Sequence, residues 1–282
     1  MKNIKIRPVL SFSISCIALY MFFALYAFAV EPVTYGKGIW VNIWNYPENS
    51  DMYCEYLKSK GIDTIYLQIS RSNTPAIQHP EKLNQLIKSA HSRDMKIIGW
   101  TYSFLKNPIE DAKRFLIAAF HKTPDGDSLD GMAADLEETT NTRSIETFAK
   151  AIRNKVGPKY PLIAITFSPV LKRANPRSYP WKTIASNFDI IAPMTYWHGN
   201  KKLRSEKGAY DYTVQTITKI KEYTNKDDIK IHLIGDGQKT SSSEIKGFLK
   251  AAREHNVDAG VSLYPWYKPK DHQVEVLGNY EL

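Results

Sequence analysis

The chain has 282 residues, 43% hydrophobic and 24% charged, a composition ordinary for a folded globular protein and one that excludes a disordered chain. Its formal charge is +9, and taking away Lys2, Lys5 and Arg7 at the N-terminus leaves +6, a moderate bias dispersed along the chain rather than a nucleic-acid-binding patch. Of the two cysteines only Cys54 lies beyond residue 30, so the body can hold no internal disulfide and depends on its core.

In chain order, the three basic residues precede an uncharged apolar run from Val9 to Val30. This reads as an export signal, with Ala27-Phe28-Ala29 as a small-x-small cleavage site. The run is also long enough to cross a bilayer uncut, so residues 1–30 are expected to be a signal peptide or a membrane anchor. Cys16 lacks a lipoprotein context. The product is then exported: secreted, periplasmic or anchored on the outer side of the membrane, touching the membrane only through an uncleaved N-terminal segment.

Residues 31–282 show no composition break and are expected to form one domain. From Gly36 onward, near-continuous apolar runs rich in β-branched and aromatic residues fall at 38–44, 63–70, 96–102, 129–137, 162–168, 189–197, 230–235 and 260–266. Amphipathic stretches near 51–60, 80–93, 109–121, 143–155, 180–187, 211–223 and 242–256 separate them, and the residues after Lys270 read as a short tail. Eight strands alternating with helices predict an α/β chain forming a single (β/α)8 TIM barrel. No Gly-x-Gly-x-x-Gly or Gly-x-x-x-x-Gly-Lys loop occurs, which sets a nucleotide-binding sheet aside.

The most informative run is Asp130-Gly131-Met132-Ala133-Ala134-Asp135-Leu136-Glu137, an apolar strand that ends in two carboxylates. Alternation puts Gly131, Ala133, Asp135 and Glu137 on one face and Asp130, Met132, Ala134 and Leu136 on the other. Two neighbouring acids at the C-terminal end of a barrel strand sit where such folds place their chemistry. Such a pair can keep one proton beside an ionised partner, as glycoside cleavage requires. The competing account is an acid cluster at the start of the following helix.

The same alternation groups Trp40, Asn42 and Trp44 on the first strand, and Tyr66, Gln68 and Ser70 on the second. Trp100 and Tyr102 share a face of the third, Met194 and Tyr196 of the sixth, and Tyr264 and Trp266 of the eighth. Aromatic planes with interspersed polar groups suit the C–H faces and hydroxyls of sugars. The expected substrate-binding set is therefore Trp40, Trp44, Gln68, Trp100, Tyr102, Met194, Trp197, Tyr264 and Trp266. Lys172, Arg173 and Arg177 after strand five, with Lys201, Lys202 and Arg204 after strand six, suggest a basic rim suited to an anionic or N-acetylated glycan. His79, His198 and His232 show no metal-ligand spacing, and no Gly-x-Ser-x-Gly elbow occurs. No cofactor or metal is expected, and a polysaccharide or oligosaccharide is the expected partner.

Asp130-Gly131-x-x-x-Asp135-x-Glu137 resembles the strand-four signature of the chitinase-like family 18 glycoside hydrolases, and Met194-Thr195-Tyr196 resembles that family's Met-x-Tyr-Asp motif. Here Ala133 stands for the middle Asp of the signature and Trp197 for the Asp after the tyrosine. The resemblance implies that Glu137 is the proton donor and that Asp135 orients the substrate's N-acetyl group, whose carbonyl oxygen is the internal nucleophile. It also implies that Tyr196 hydrogen-bonds that group and that Trp266 floors the sugar pocket. A mechanism with a second acid would draw on Asp236, at the end of strand seven. The alternative outside the enzyme class is a catalytically silent barrel that binds glycans.

Overall fold

A computed structural model describes residues 36–281; the expected signal peptide or anchor lies outside the described residues. The strands are β1 (Lys37–Val41), β2 (Thr64–Arg71), β3 (Lys96–Tyr102), β4 (Gly131–Asp135), β5 (Leu162–Phe167), β6 (Ile190–Thr195), β7 (Lys230–Ile231), β8 (Leu233–Asp236) and β9 (Val261–Tyr264). All pair in parallel, from β1 through β6 to β8 and β9, and β9 pairs back onto β1. The result is the closed (β/α)8 barrel expected. β7 and β8 are two pieces of the seventh barrel strand, interrupted at His232.

Helices α1 (Ser50–Ser59), α2 (Pro80–His91), α3 (Pro108–Ala119), α4 (Thr142–Val156), α5 (Trp181–Asn187), α6 (Glu206–Thr224), α7 (Ser242–Glu254) and α8 (Asp271–Gly278) follow the strands in turn. Local chemistry sets their starts. Asn49, Asn107, Asn141, Ser205 and Ser241 each accept a backbone N–H from the first turn, and Pro80 and Pro108 open α2 and α3. Because α4 starts at Thr142 and has no acid in its first turn, the helix-cluster account of Asp135 and Glu137 does not hold.

The residues after Lys270 are a helix rather than the expected tail. Val274 and Leu277 of α8 are fully buried, and Lys37 donates to the Gly278 carbonyl at 2.7 Å. A Cβ at Gly278 would fall 1.6 Å from the Lys60 carbonyl oxygen, so only glycine allows this approach. The period of Val274 and Leu277 was readable, but eight residues is a short signal.

Two cores follow from the strand alternation. Ile39, Val41, Ile65, Leu67, Ile97, Met132, Ala134, Leu136, Leu162, Ala164 and Ile191 join the helices in one hydrophobic cluster outside the barrel. Trp40, Tyr66, Trp100 and Ala133 occupy the alternate positions and fill its inside. Trp40 stacks on Tyr66 with centroids 4.3 Å apart and meets Trp100 edge-on at 5.8 Å. Gly38 leaves room for this stack, since a Cβ there would come within 2.4 Å of the Tyr66 ring.

Candidate active site

At the C-terminal ends of the strands a cleft of about 440 Å³ opens over the aromatic layer. Trp40, Gln68, Trp100, Tyr102 and Met194 line it with Asp135, Glu137, Tyr196, Tyr264, Trp44 and Trp266. Of the expected catalytic residues Glu137, Asp135 and Tyr196 and the expected substrate-binding set, all but Trp197 therefore meet in one place. Ile165, Ile234, Gln238 and Arg71 complete the wall and were not foreseen.

Trp197 is a correction. It is fully buried on the outer side of the barrel, stacked on Phe248 at 5.3 Å, with its indole N–H donating to Glu244 at 3.2 Å. Alternation explains this, because Met194 and Tyr196 face the cleft and the residue between or after them faces away. His198 bonds the same Glu244 oxygen at 2.8 Å. Asp236 does not line the cleft. Its Oδ1 accepts the Gln238 N–H at 3.1 Å and its carbonyl accepts from Thr240, so it organises the loop that presents Gln238.

Strand β4 holds the acids in place through its backbone. Tyr102 pairs in register with Asp135, Ser103 donates to the Asp135 carbonyl at 3.2 Å, and Leu136 donates to Ile165 at 3.0 Å. Asp135 is buried and its Oδ1 has no partner among the described residues. Burial, then the neighbouring Glu137 charge, lifts its pKa well above the carboxylate range, against the Glu137 backbone N–H and Arg71. Glu137 is half-buried, and its pKa is also raised by burial, while the Tyr102 hydroxyl and Arg173 favour its ionised form. The two acids therefore titrate as a pair, with a proton retained above the usual range. At the other end of the strand, Asp130 accepts the Ile97 N–H at 2.8 Å and His91 at 3.1 Å, a structural role.

The far wall is aromatic. Tyr196 and Tyr264 stack at 6.3 Å, and Tyr264 meets Trp266 edge-on at 6.0 Å. Burial keeps both phenols neutral, Tyr196 well above its usual range, so each can donate a hydrogen bond. Trp266 has φ +60, a left-handed conformation costly for a bulky residue. Its carbonyl is clamped by the amides of Asn42 at 2.6 Å and Asn45 at 2.8 Å, which hold the ring at the mouth. Trp44 and Trp266 are 67% and 57% exposed, leaving two open aromatic faces at the cleft mouth.

A register shift on β2 explains why Arg71 was missed. Gln68 pairs with Trp100 but Ser70 pairs with Thr101, so one extra residue bulges the strand and reverses its alternation. Ser70 turns away from the cleft, and Arg71, in register with Tyr102, turns into it. The expected basic rim is looser than drawn. None of its six residues lines the cleft, although Arg173 lies 3.9 Å over the Phe167 ring and acts on Glu137 through space.

Asp135→Asn should raise stability at neutral pH. The folded-state pKa of Asp135 lies above its unfolded value, so the wild type binds the extra proton when folded and loses stability as pH rises through that window. The asparagine variant lacks that loss. Denaturant midpoints should favour the variant at pH 7 and converge with the wild type below pH ~3.8; equal midpoints at pH 7 would contradict the burial account.

No family profile matches the chain, and no curated protein matches it. Solved structures do. Active domain 2 of a chitinase from Pyrococcus furiosus is 11% identical, with a TM-score of 0.64, covering 87% of this chain and 94% of that one. A family 18 chitinase from Pseudoalteromonas aurantia is 11% identical at TM-score 0.59, covering 87% and 98%. An endo-β-N-acetylglucosaminidase from Cordyceps militaris is 14% identical at TM-score 0.57, covering 88% and 92%. At such identities the likeness establishes the fold, a (β/α)8 barrel of the kind these glycoside hydrolases use.

Proposed function

We propose that the protein is an exported glycoside hydrolase acting on a polysaccharide that contains N-acetylated hexosamine. One observation carries this reading: two neighbouring acids, Asp135 and Glu137, whose pKa values burial raises, line an open aromatic cleft with Tyr196 among its walls. Gln68 Nε2, Trp100 Nε1 and Asp135 Oδ1 are buried there without partners among the described residues, and their side chains belong to the cleft that a sugar would fill. The likeness of the fold to glycoside hydrolases, chitinases among them, supports a carbohydrate substrate.

In this mechanism the pair enters with one proton, which rests on the more buried Asp135 and passes to Glu137 when substrate fills the cleft. Glu137 gives it to the glycosidic oxygen as the bond breaks, and the N-acetyl carbonyl oxygen closes on the anomeric carbon. Asp135 holds the amide N–H and balances the charge that develops, while Tyr196 donates to the carbonyl. Glu137, now ionised, removes a proton from water, which opens the intermediate and restores the pair. Electrostatic help from Asp135 acts in a site shielded from water and is correspondingly strong.

A silent glycan-binding barrel is the second reading, favoured by Ala133, which supplies no third carboxylate beneath Asp135. Incubation with N-acetylated oligosaccharides and their deacetylated counterparts separates the two. Release of reducing ends from the acetylated series alone supports the substrate-assisted enzyme; binding without release supports the second reading.

A further inference from the structure

We infer that Arg71 forms a subsite for a carboxylate carried by the sugar chain, making the substrate an acidic rather than a neutral N-acetylated glycan. The inference rests on the cleft being a glycan site.

The first argument is what Arg71 does not touch. Four arginines among the described residues are half-buried: Arg71, Arg93, Arg114 and Arg153. Arg93 donates to Asp51 and Ser89, Arg114 to the Thr74 carbonyl, and Arg153 to Asp189 and two carbonyls. The Arg71 guanidinium makes no such bond and no ion pair among the described residues, although placing an arginine there removes part of its hydration. Asp135 and Glu137 feel its charge but lie beyond ion-pair distance.

The second argument is how Arg71 is held. Its guanidinium lies 4.2 Å over the Tyr102 ring, with Trp44 at 5.4 Å and Phe104 at 5.9 Å. Ring faces fix the plane of the guanidinium while satisfying none of its N–H groups, so the fork keeps its edge for a planar oxyanion. The bulge in β2 is what aims it there.

The third argument is room. Arg71 and Trp44 are shared between the cleft and a neighbouring depression of about 340 Å³, with Thr74, Gln78 and His79 among its walls. Among the described residues the depression has one acid, Glu48, already paired with Lys82 at 3.2 Å. A sugar seated on Trp44 could therefore direct a carboxylate toward Arg71 without meeting an unpaired negative group in that depression.

Two sources offer this chemistry, a uronic acid and a lactyl ether on a hexosamine. Binding of N-acetylated oligosaccharides containing each, as the free acid and as the methyl ester, tests the inference by calorimetry on wild type, Arg71→Gln and Arg71→Lys. A bidentate charged pair predicts that one free acid binds about ten-fold or more tighter than its ester to the wild type. Arg71→Gln should abolish that difference and Arg71→Lys should keep part of it; the source is whichever acid shows it. Equal affinity for acid and ester in the wild type, or a preference that survives Arg71→Gln, would overturn the subsite. A role confined to tuning the acidity of Glu137 would move the pH profile but not the acid-to-ester ratio. Acid preference without cleavage of any oligosaccharide would refute the hydrolase and leave the subsite standing, whereas no binding of any oligosaccharide would refute both.

Discussion

Glu137→Gln is expected to lower kcat by about 10²–10⁴-fold, the usual contribution of a positioned general acid, while KM stays close to the wild-type value. Glutamine keeps the shape and hydrogen-bonding reach of the side chain but has no proton to give. The wild-type pH profile should carry the same signature. Because burial raises the pKa of Glu137 and of its partner Asp135, kcat/KM should persist above the ordinary glutamate range and fall as pH rises through the pair's raised values. Steady-state kinetics across pH measures both. A variant that loses affinity instead of turnover would assign Glu137 to binding alone.

The second large effect is acid lability centred on His232, at the break in the seventh barrel strand. Its Nδ1 lies 2.9 Å from the Ala259 carbonyl, which can only accept, so Nδ1 carries the proton. Nε2, 2.7 Å from the Ser262 hydroxyl, is then the acceptor, and Ser262 in turn accepts the Trp40 indole N–H at 2.7 Å. Protonating Nε2 would turn the Ser262 hydroxyl from the ring toward the Leu233 carbonyl at 3.3 Å, directly beneath the cleft, and charge a fully buried ring. Burial accordingly lowers the pKa from 6.5 to about 4. The unfolded chain binds the proton first, so stability contributed by the neutral ring is complete above pH 6.5 and lost as pH falls toward 4. A shift of this size corresponds to a difference on the order of 3 kcal/mol. Denaturant unfolding of wild type and His232→Gln between pH 4 and 7 reads it as a change in their difference, in which the carboxylates common to both cancel. A stability difference constant across that range would contradict the assigned tautomer and burial.

Much of this was legible in one dimension because barrel strands are buried on both sides. Apolar runs marked all eight, and 96–102 coincides with β3. The acids of β4 stood out because a carboxylate ending such a run has no packing purpose. Arg71 ends β2 in the same way, and that logic could have found it; strict alternation pointed to Ser70 because a bulge leaves no mark in Gln68-Ile69-Ser70. Trp197 was misassigned for the opposite reason, an aromatic counted with its neighbours although alternation turned it outward onto Phe248. The strain at Trp266 depends on Asn42, 224 positions away, a partnership visible only once β9 closes on β1.

The most direct test of the central claim follows the anomeric signals of an N-acetylated oligosaccharide by NMR during the first minutes of incubation with the wild type and Glu137→Gln. The account predicts a new reducing end from the wild type, appearing first with the configuration of the bond that was cut, because two displacements at the anomeric carbon restore it. The variant should produce it about 10²–10⁴ times more slowly. No new anomeric signal from wild type that demonstrably binds the sugar, or a first product of inverted configuration, would contradict it.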